Sequence, residues 1–279
     1  MLYPIQNSVR NKLDISGIWD FQTDPAGIGE AAGWANGLTD PRPMAVPGSW
    51  NEQYDDLFGY LDLAWYVRKV YVPSGWQGQR VFLRVGSAVY FGTVYVNGVK
   101  VGAHEGGHLP FAFEITGQVK WGEENVVAIS VENVLKPDRV PSGNMPNSAM
   151  SMFASTPQTT YDFYPFSGLH RPVVLYSVPQ NYIQDLTVVT TIEPQAEVKV
   201  KVVLNAAVNG AGSVQLQGSG ALFTADLAFA DGMAEATLAV PGARLWSDKD
   251  PYLDDLTVDA AGDQYSLQVG IRTIAVSDG

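Results

Sequence analysis

Residues 90–103 read Tyr-Phe-Gly-Thr-Val-Tyr-Val-Asn-Gly-Val-Lys-Val-Gly-Ala. Two apolar, β-branched and aromatic runs flank an Asn-Gly pair. Asn and Gly tolerate the left-handed backbone that a two-residue hairpin turn requires, so this stretch predicts a β-hairpin. The same grammar extends in both directions. In Ala64–Val72, Trp65, Val67, Lys69 and Tyr71 fall on one face, and Tyr66, Arg68, Val70 and Val72 on the other. Val81, Leu83 and Val85 alternate with Phe82 and Arg84, and Val126–Val131 and Pro172–Ser177 add further strands. No long stretch has the 3.6-residue period of an amphipathic helix. The 28 glycines and 17 prolines are then the punctuation of an all-β protein.

The style changes near Pro179-Gln180-Asn181. Before it the chain is rich in Trp and Tyr and carries long irregular loops. After it come plainer segments: Ile183–Thr191, Val198–Asn205, Ser213–Gln217, Ala221–Ala230, Ala234–Val240, Leu256–Ala260 and Ser266–Val276. Short strands at this spacing suit an immunoglobulin-like β-sandwich, without the Cys pair of antibody domains. Residues 1–180 suit a larger, jelly-roll-like sandwich and residues 181–279 the immunoglobulin-like one. With 279 residues, two cores are the expected arrangement.

Bulk chemistry removes several function classes. The net charge of −12 argues against nucleic acid and against an anionic membrane surface as partner. The absence of Cys removes disulfides, thiolate catalysis and zinc–cysteine sites, and fits a reducing compartment. The start, Met-Leu-Tyr-Pro-Ile-Gln-Asn-Ser, has neither the basic nor the apolar region of a signal peptide, so a cytoplasmic location is expected. His104 and His108 have a metal-capable spacing, but Glu105-Gly106-Gly107 would break the helix such a pair needs. No metal and no cofactor are expected. Glu123-Glu124, Asp55-Asp56 and Asp254-Asp255 read as solvated turns, and Asn51-Glu52 sits in a loop. No pair makes a convincing catalytic dyad, so no catalytic residue is assigned.

One segment stands out chemically. Tyr161–Arg171, Tyr-Asp-Phe-Tyr-Pro-Phe-Ser-Gly-Leu-His-Arg, places Asp162 among four aromatics and ends in a basic residue before an apolar run. Aromatic faces stack on the C–H side of a pyranose, while a carboxylate accepts hydrogen bonds from its hydroxyls. Taken alone, the aromatics read as core and Asp162 as a turn cap. The preceding Lys136–Thr160, a long stretch of Pro, Ser, Asn and Met with little periodicity, shifts the weight toward function.

With those residues in view, the chain resembles the N-terminal part of family 2 glycoside hydrolases, in their β-glucuronidase branch. The resemblance is carried by Leu13–Phe21, Val46–Tyr54, Ala64–Arg68, Val94–Gly98, His104–Phe111 and Tyr161–Arg171. Leu245-Trp246-Ser247, Pro251-Tyr252-Leu253 and Gly270-Ile271-Arg272 continue it. The resemblance implies a jelly-roll sugar-binding domain, an immunoglobulin-like domain and then a (β/α)8 barrel that holds both catalytic glutamates of a retaining mechanism. A barrel takes about 250 residues, and none follow here, so this chain is expected to be the inactive front of such an enzyme. Asp162 then corresponds to the acid that reaches the barrel's pocket and binds sugar hydroxyls. Tyr161, Phe163, Tyr164, His170 and Arg171 would support its loop, Arg171 through carboxylate or carbonyl contacts. Pro165 and Ser167 depart from the Asn and Ala of many relatives, and Asp254 from an aromatic. The implied partners are a glucuronide, the missing barrel and further copies of the full enzyme. The rival readings are a stand-alone carbohydrate-binding module and a purely structural assembly domain.

Overall fold

The computed structural model describes residues 2–140, 142–144, 158–159, 164–218 and 220–275. It is almost entirely antiparallel β-structure, and its only helices among the described residues are four 3-10 turns. None is long and apolar enough to cross a membrane. The chain divides into two compact units: Lys12–Ser177, and Met1–Asn11 together with Val178–Gly279.

In the first unit a six-stranded sheet runs Arg42–Val46, Gly17–Thr23, Leu63–Tyr71, Glu124–Glu132, Phe91–Val96, Val99–Glu105 in spatial order. A four-stranded sheet is ordered Asn11–Asp14, Val173–Val178, Arg80–Val85, Phe111–Glu114. The hairpin read from residues 90–103 is present: Phe91–Val96 pairs with Val99–Glu105. Asn97 and Gly98 take φ of 50° and 80° at its turn, the positive values that a type I′ connection needs. The alternation of Leu63–Tyr71 sorts its side chains as the sequence pattern implies. Tyr66 and Val70 enter the main core with Trp19, Phe21 and Trp50, while Trp65 and Val67 enter a smaller cluster with Trp34 and Tyr95. That second cluster exists because Asp24 pins residues 24–36 over the sheet's other face. Its carboxylate accepts from Ile28 N, Gly29 N and Trp65 Nε1 at 2.8–3.0 Å. A sheet buried on both faces explains the Trp- and Tyr-rich sequence.

The second unit has a three-stranded sheet, Ile183–Thr191, Glu197–Leu204, Met233–Ala239, and a four-stranded one, Ala221–Phe229, Gly210–Gly218, Asp254–Ala260, Asp263–Val269. Three strands against four is the immunoglobulin-like arrangement expected from the sequence. The last strand is Asp263–Val269, several residues earlier than the Ser266–Val276 pattern suggests.

Two expectations require correction. Asp254-Asp255 is no solvated turn: Asp254 is buried and opens the strand Asp254–Ala260, its carboxylate packed on Gly218. The domain division also shifts at the N-terminus, because the first residues belong with the second unit. Arg10 forms a bidentate ion pair with Asp263, Nε to Oδ1 at 2.8 Å and Nη2 to Oδ2 at 2.5 Å, and donates to Ile183 O at 2.8 Å. Asp263 also accepts from Ile183 N, Asn7 Nδ2 donates to Gln264 O, and Tyr265 Oη donates to Tyr3 O. Leu2 and Ile5 pack on the second core. Neither partner of the ion pair meets solvent, so removing one leaves a buried charge uncompensated. Asp263→Ala is expected to destabilise the second unit by about 3–5 kcal/mol. Urea unfolding read by residue-resolved hydrogen exchange should show that loss while leaving the first unit's protection unchanged.

Candidate functional site

Tyr161, Asp162 and Phe163 lie outside the described residues, as does most of Lys136–Thr160. What the structure gives is the frame from which that segment departs. The near end is Glu124–Glu132 and the residues after it. Arg139 folds back with a buried guanidinium, donating to Glu105 Oε1 at 2.7 Å and to Val134 O, and pairing with Glu132 at 3.2 Å. Gly143–Asn144 pairs antiparallel with Gln158–Thr159.

The far end, Tyr164–Arg171, is held by two buried asparagines. Asn51 sits in the 3-10 turn Trp50–Glu52, capped by Ser49, whose hydroxyl accepts from Asn51 N at 3.2 Å. The Asn51 side chain is 2% exposed and spends its whole hydrogen-bonding capacity on the chain around it. Its amide donates to Leu57 O, Phe58 O and Tyr60 O at 2.9–3.1 Å, and its Oδ1 accepts from Ser167 N at 2.8 Å and from Ser49 Oγ at 3.3 Å. Asn133, also fully buried, donates to Pro165 O at 2.8 Å and to Ser167 Oγ. Both departures noted in the sequence, Pro165 and Ser167, are therefore acceptors of one side chain. Gly168–Leu169 pairs with Gly48–Ser49, and Gly168 O accepts from Val89 N at 3.0 Å. Gly168 has φ of 117°, and a Cβ there would stand 2.8 Å from Tyr66 Oη and 2.9 Å from Gly48 O. No other residue fits.

The remaining assigned side chains lie along this braced segment. Tyr164 stacks on Phe58 with ring centroids 5.5 Å apart, touches Phe166 at 4.9 Å and donates its hydroxyl to Phe58 O. Burial pushes the Tyr164 phenol above its usual range, which keeps it a donor. Arg171 donates to His108 O at 2.9 Å. His170 is largely buried, its Nε2 has no hydrogen-bond partner, and burial lowers its pKa, opposed by a hydrogen bond to the Ser167 backbone. His104 and His108 are not brought together as ligands: His104 is a strand residue stacked on Phe111 at 4.6 Å, and His108 lies beyond it. Among the described residues no group of three or more His, Asp or Glu is placed to hold a metal ion. Asp56, one of the paired carboxylates, is engaged by Arg42 and held below the usual carboxylate range.

Sequence reading missed the positioning residues. Ser49-Trp50-Asn51-Glu52 carries the Ser-x-x-Glu signature of a capped turn, which marks the turn but says nothing of where Asn51's amide goes. Asn133 and Arg139 carry no local signal.

With the geometry in hand, the class of the protein follows. The sugar-binding domain of glycosyl hydrolases family 2 matches residues 12–179, and the chain belongs to that family. Within it, the similarity is to β-glucuronidases. The chain is 36% identical to the β-glucuronidase of Paenibacillus borealis over 99% of its own length and 48% of that protein's, and 34% identical to that of Sus scrofa over 100% and 47%. The structure of a Ruminococcus gnavus β-glucuronidase in complex with D-glucuronic acid superposes with a TM-score of 0.88 at 32% identity, covering 99% of this chain and 48% of that one. The chain thus spans about half the length of the relatives it matches.

Asn51→Ala would leave the buried Ser167 amide without its acceptor and take one of two donors from each of the Leu57, Phe58 and Tyr60 carbonyls. An overall loss on the order of 3 kcal/mol is expected in chemical unfolding, with the Ser167 amide among those losing most exchange protection. Because the folded state holds His170 neutral, the unfolded chain binds the extra proton as pH falls. Stability should therefore be fully present above the ordinary histidine pKa, near 6.5, and decline as pH drops toward the lower folded value. His170→Gln should flatten that segment of the stability–pH curve.

Proposed function

We propose that this chain is the non-catalytic front of a β-glucuronidase-like retaining glycoside hydrolase. In this reading the catalytic carboxylates, about 5–5.5 Å apart in such mechanisms, belong to a (β/α)8 barrel on the same polypeptide or assembly. The chain's contribution is Asp162, offered to substrate hydroxyls as a hydrogen-bond acceptor that orients the sugar without transferring protons or attacking carbon.

The observation that carries the proposal is the bracing of Tyr164–Arg171. Asn51 and Asn133 fix Pro165 and Ser167, a sheet pairing fixes Gly168 and Leu169, and the Tyr164–Phe58 stack fixes the start of the described segment. An acid two residues before such an anchor has a rigid base from which to reach a partner's pocket, and positioning groups need rigid support. The candidate dyads give no rival site: Asp56 is paired with Arg42, Glu124 with Lys69, and Asp254 is buried in the second unit. Glucuronide as substrate is part of the same proposal, supported by the relatives' names, and a homo-oligomeric full enzyme is proposed with it.

The chain alone is expected to show no turnover of a chromogenic glucuronide. Joined to a family 2 barrel that restores activity, Asp162→Ala should lower kcat/KM by about a hundredfold or more while leaving the unfolding midpoint unchanged. Reproducible hydrolysis by the chain alone, or full activity of the joined Asp162→Ala variant, would overturn the assignment.

A further inference from the structure

The described residues of the first unit form a chemically coherent surface around the turns that follow Ser49. Two adjoining cavities of about 730 and 280 Å³ share Glu52 and Phe166 as walls. The larger is also lined by Asp55 and Phe58, the smaller by His170. The larger volume lies within the ~300–1,000 Å³ typical of small-molecule sites.

Two aromatics face solvent here: Phe58 is 62% exposed and Phe166 is 37% exposed. Neither is loose. Tyr164 contacts both rings and is itself tied to the Phe58 carbonyl. Each ring keeps one side against Tyr164 and shows the remainder to solvent, which makes a fixed aromatic platform with room for an occupant. Beside them stand two carboxylates, Glu52 and Asp55, that make no side-chain hydrogen bond or ion pair with any described residue. Their neighbour Asp56, by contrast, is fully engaged by Arg42.

We propose that this groove is a recognition subsite for a neutral, hydroxyl-rich pyranose. The C–H face of the ring stacks on Phe58 or Phe166, and vicinal hydroxyls donate to Glu52 and Asp55. Two free carboxylates in a protein of net charge −12 repel a uronate, so the groove selects against the acidic sugar assigned to the Asp162 site. Because the platform is preorganised, little ordering cost is added on binding, although one shallow groove supports only weak, millimolar affinity. The subsite stands independently of the role proposed for Asp162. The test below contains no catalytic partner, and its failure would leave that role untouched.

The whole chain, isotopically labelled, is titrated with methyl β-glucoside, methyl β-galactoside and glucuronate while backbone amide shifts are followed by NMR. A neutral glycoside is expected to give saturable shifts at Glu52, Asp55, Phe58 and Phe166, and glucuronate to bind about tenfold more weakly. Phe166→Ala and Glu52→Gln, both surface changes, should each weaken binding about fivefold or more with the remaining spectrum intact. The subsite is refuted if neither neutral glycoside saturates, if glucuronate binds as well as they do, or if both variants bind as tightly as the parent.

Discussion

The side-chain amide of Asn51 joins three pieces of chain that sequence keeps apart. Its donors hold the turn that ends at Tyr60, and its oxygen holds Ser167, 116 residues away. An asparagine suits this task because it offers donors and an acceptor on one short, rigid arm. The carboxamide works at a buried position, where an unmet partner costs more than at the surface. Once the Ser167 amide is fixed, Gly168 falls into register with Ser49. Phe166 and Tyr164 then follow on the near side, and His170 and Arg171 on the far side. The aromatic platform, the neutral imidazole and the base of the Asp162 segment all depend on that single amide.

The same constraint explains why the two proposed surfaces coexist. The turn Trp50–Leu57 contributes Asn51 inward, to bracing, and Glu52 and Asp55 outward, to the groove. Alternation of buried and exposed groups along one short turn lets a single structural element serve both. Trp50, fully buried with its indole donating to Tyr60 O, keeps the turn from shifting when either surface is loaded. Rigid support beneath adaptable polar groups is the usual architecture of recognition sites.

What could be read directly from the residues was whatever depends on near neighbours. Asn97-Gly98 announced its hairpin, the alternation of Leu63–Tyr71 announced two buried faces, and the strand rhythm after residue 180 announced the seven-stranded second unit. These patterns reflect local backbone preference and burial, which a window of ten residues contains. Asn51, Asn133 and Arg139 escaped because each acts across tens of residues, through polar contacts that leave no periodic trace. Asp254 misled for the opposite reason: a paired acid looks solvated, and only packing against Gly218 reveals that it is buried. The first ten residues escaped because their anchor, Asp263, lies at the other end of the chain.

That last separation has a consequence for biosynthesis. Arg10 and Asp263 are 253 positions apart, whereas every strand of the first unit lies between them in order. At the ~5–20 residues per second of translation, the N-terminal arm waits for roughly ten seconds to a minute with no docking site, while Lys12–Ser177 can close on itself. The second sandwich therefore matures after the first unit, and its completion requires residues 2–10 to be still free. Any fusion, tag or partner that captures residues 2–10 during synthesis would compete with the final assembly step, although it touches nothing in the first unit.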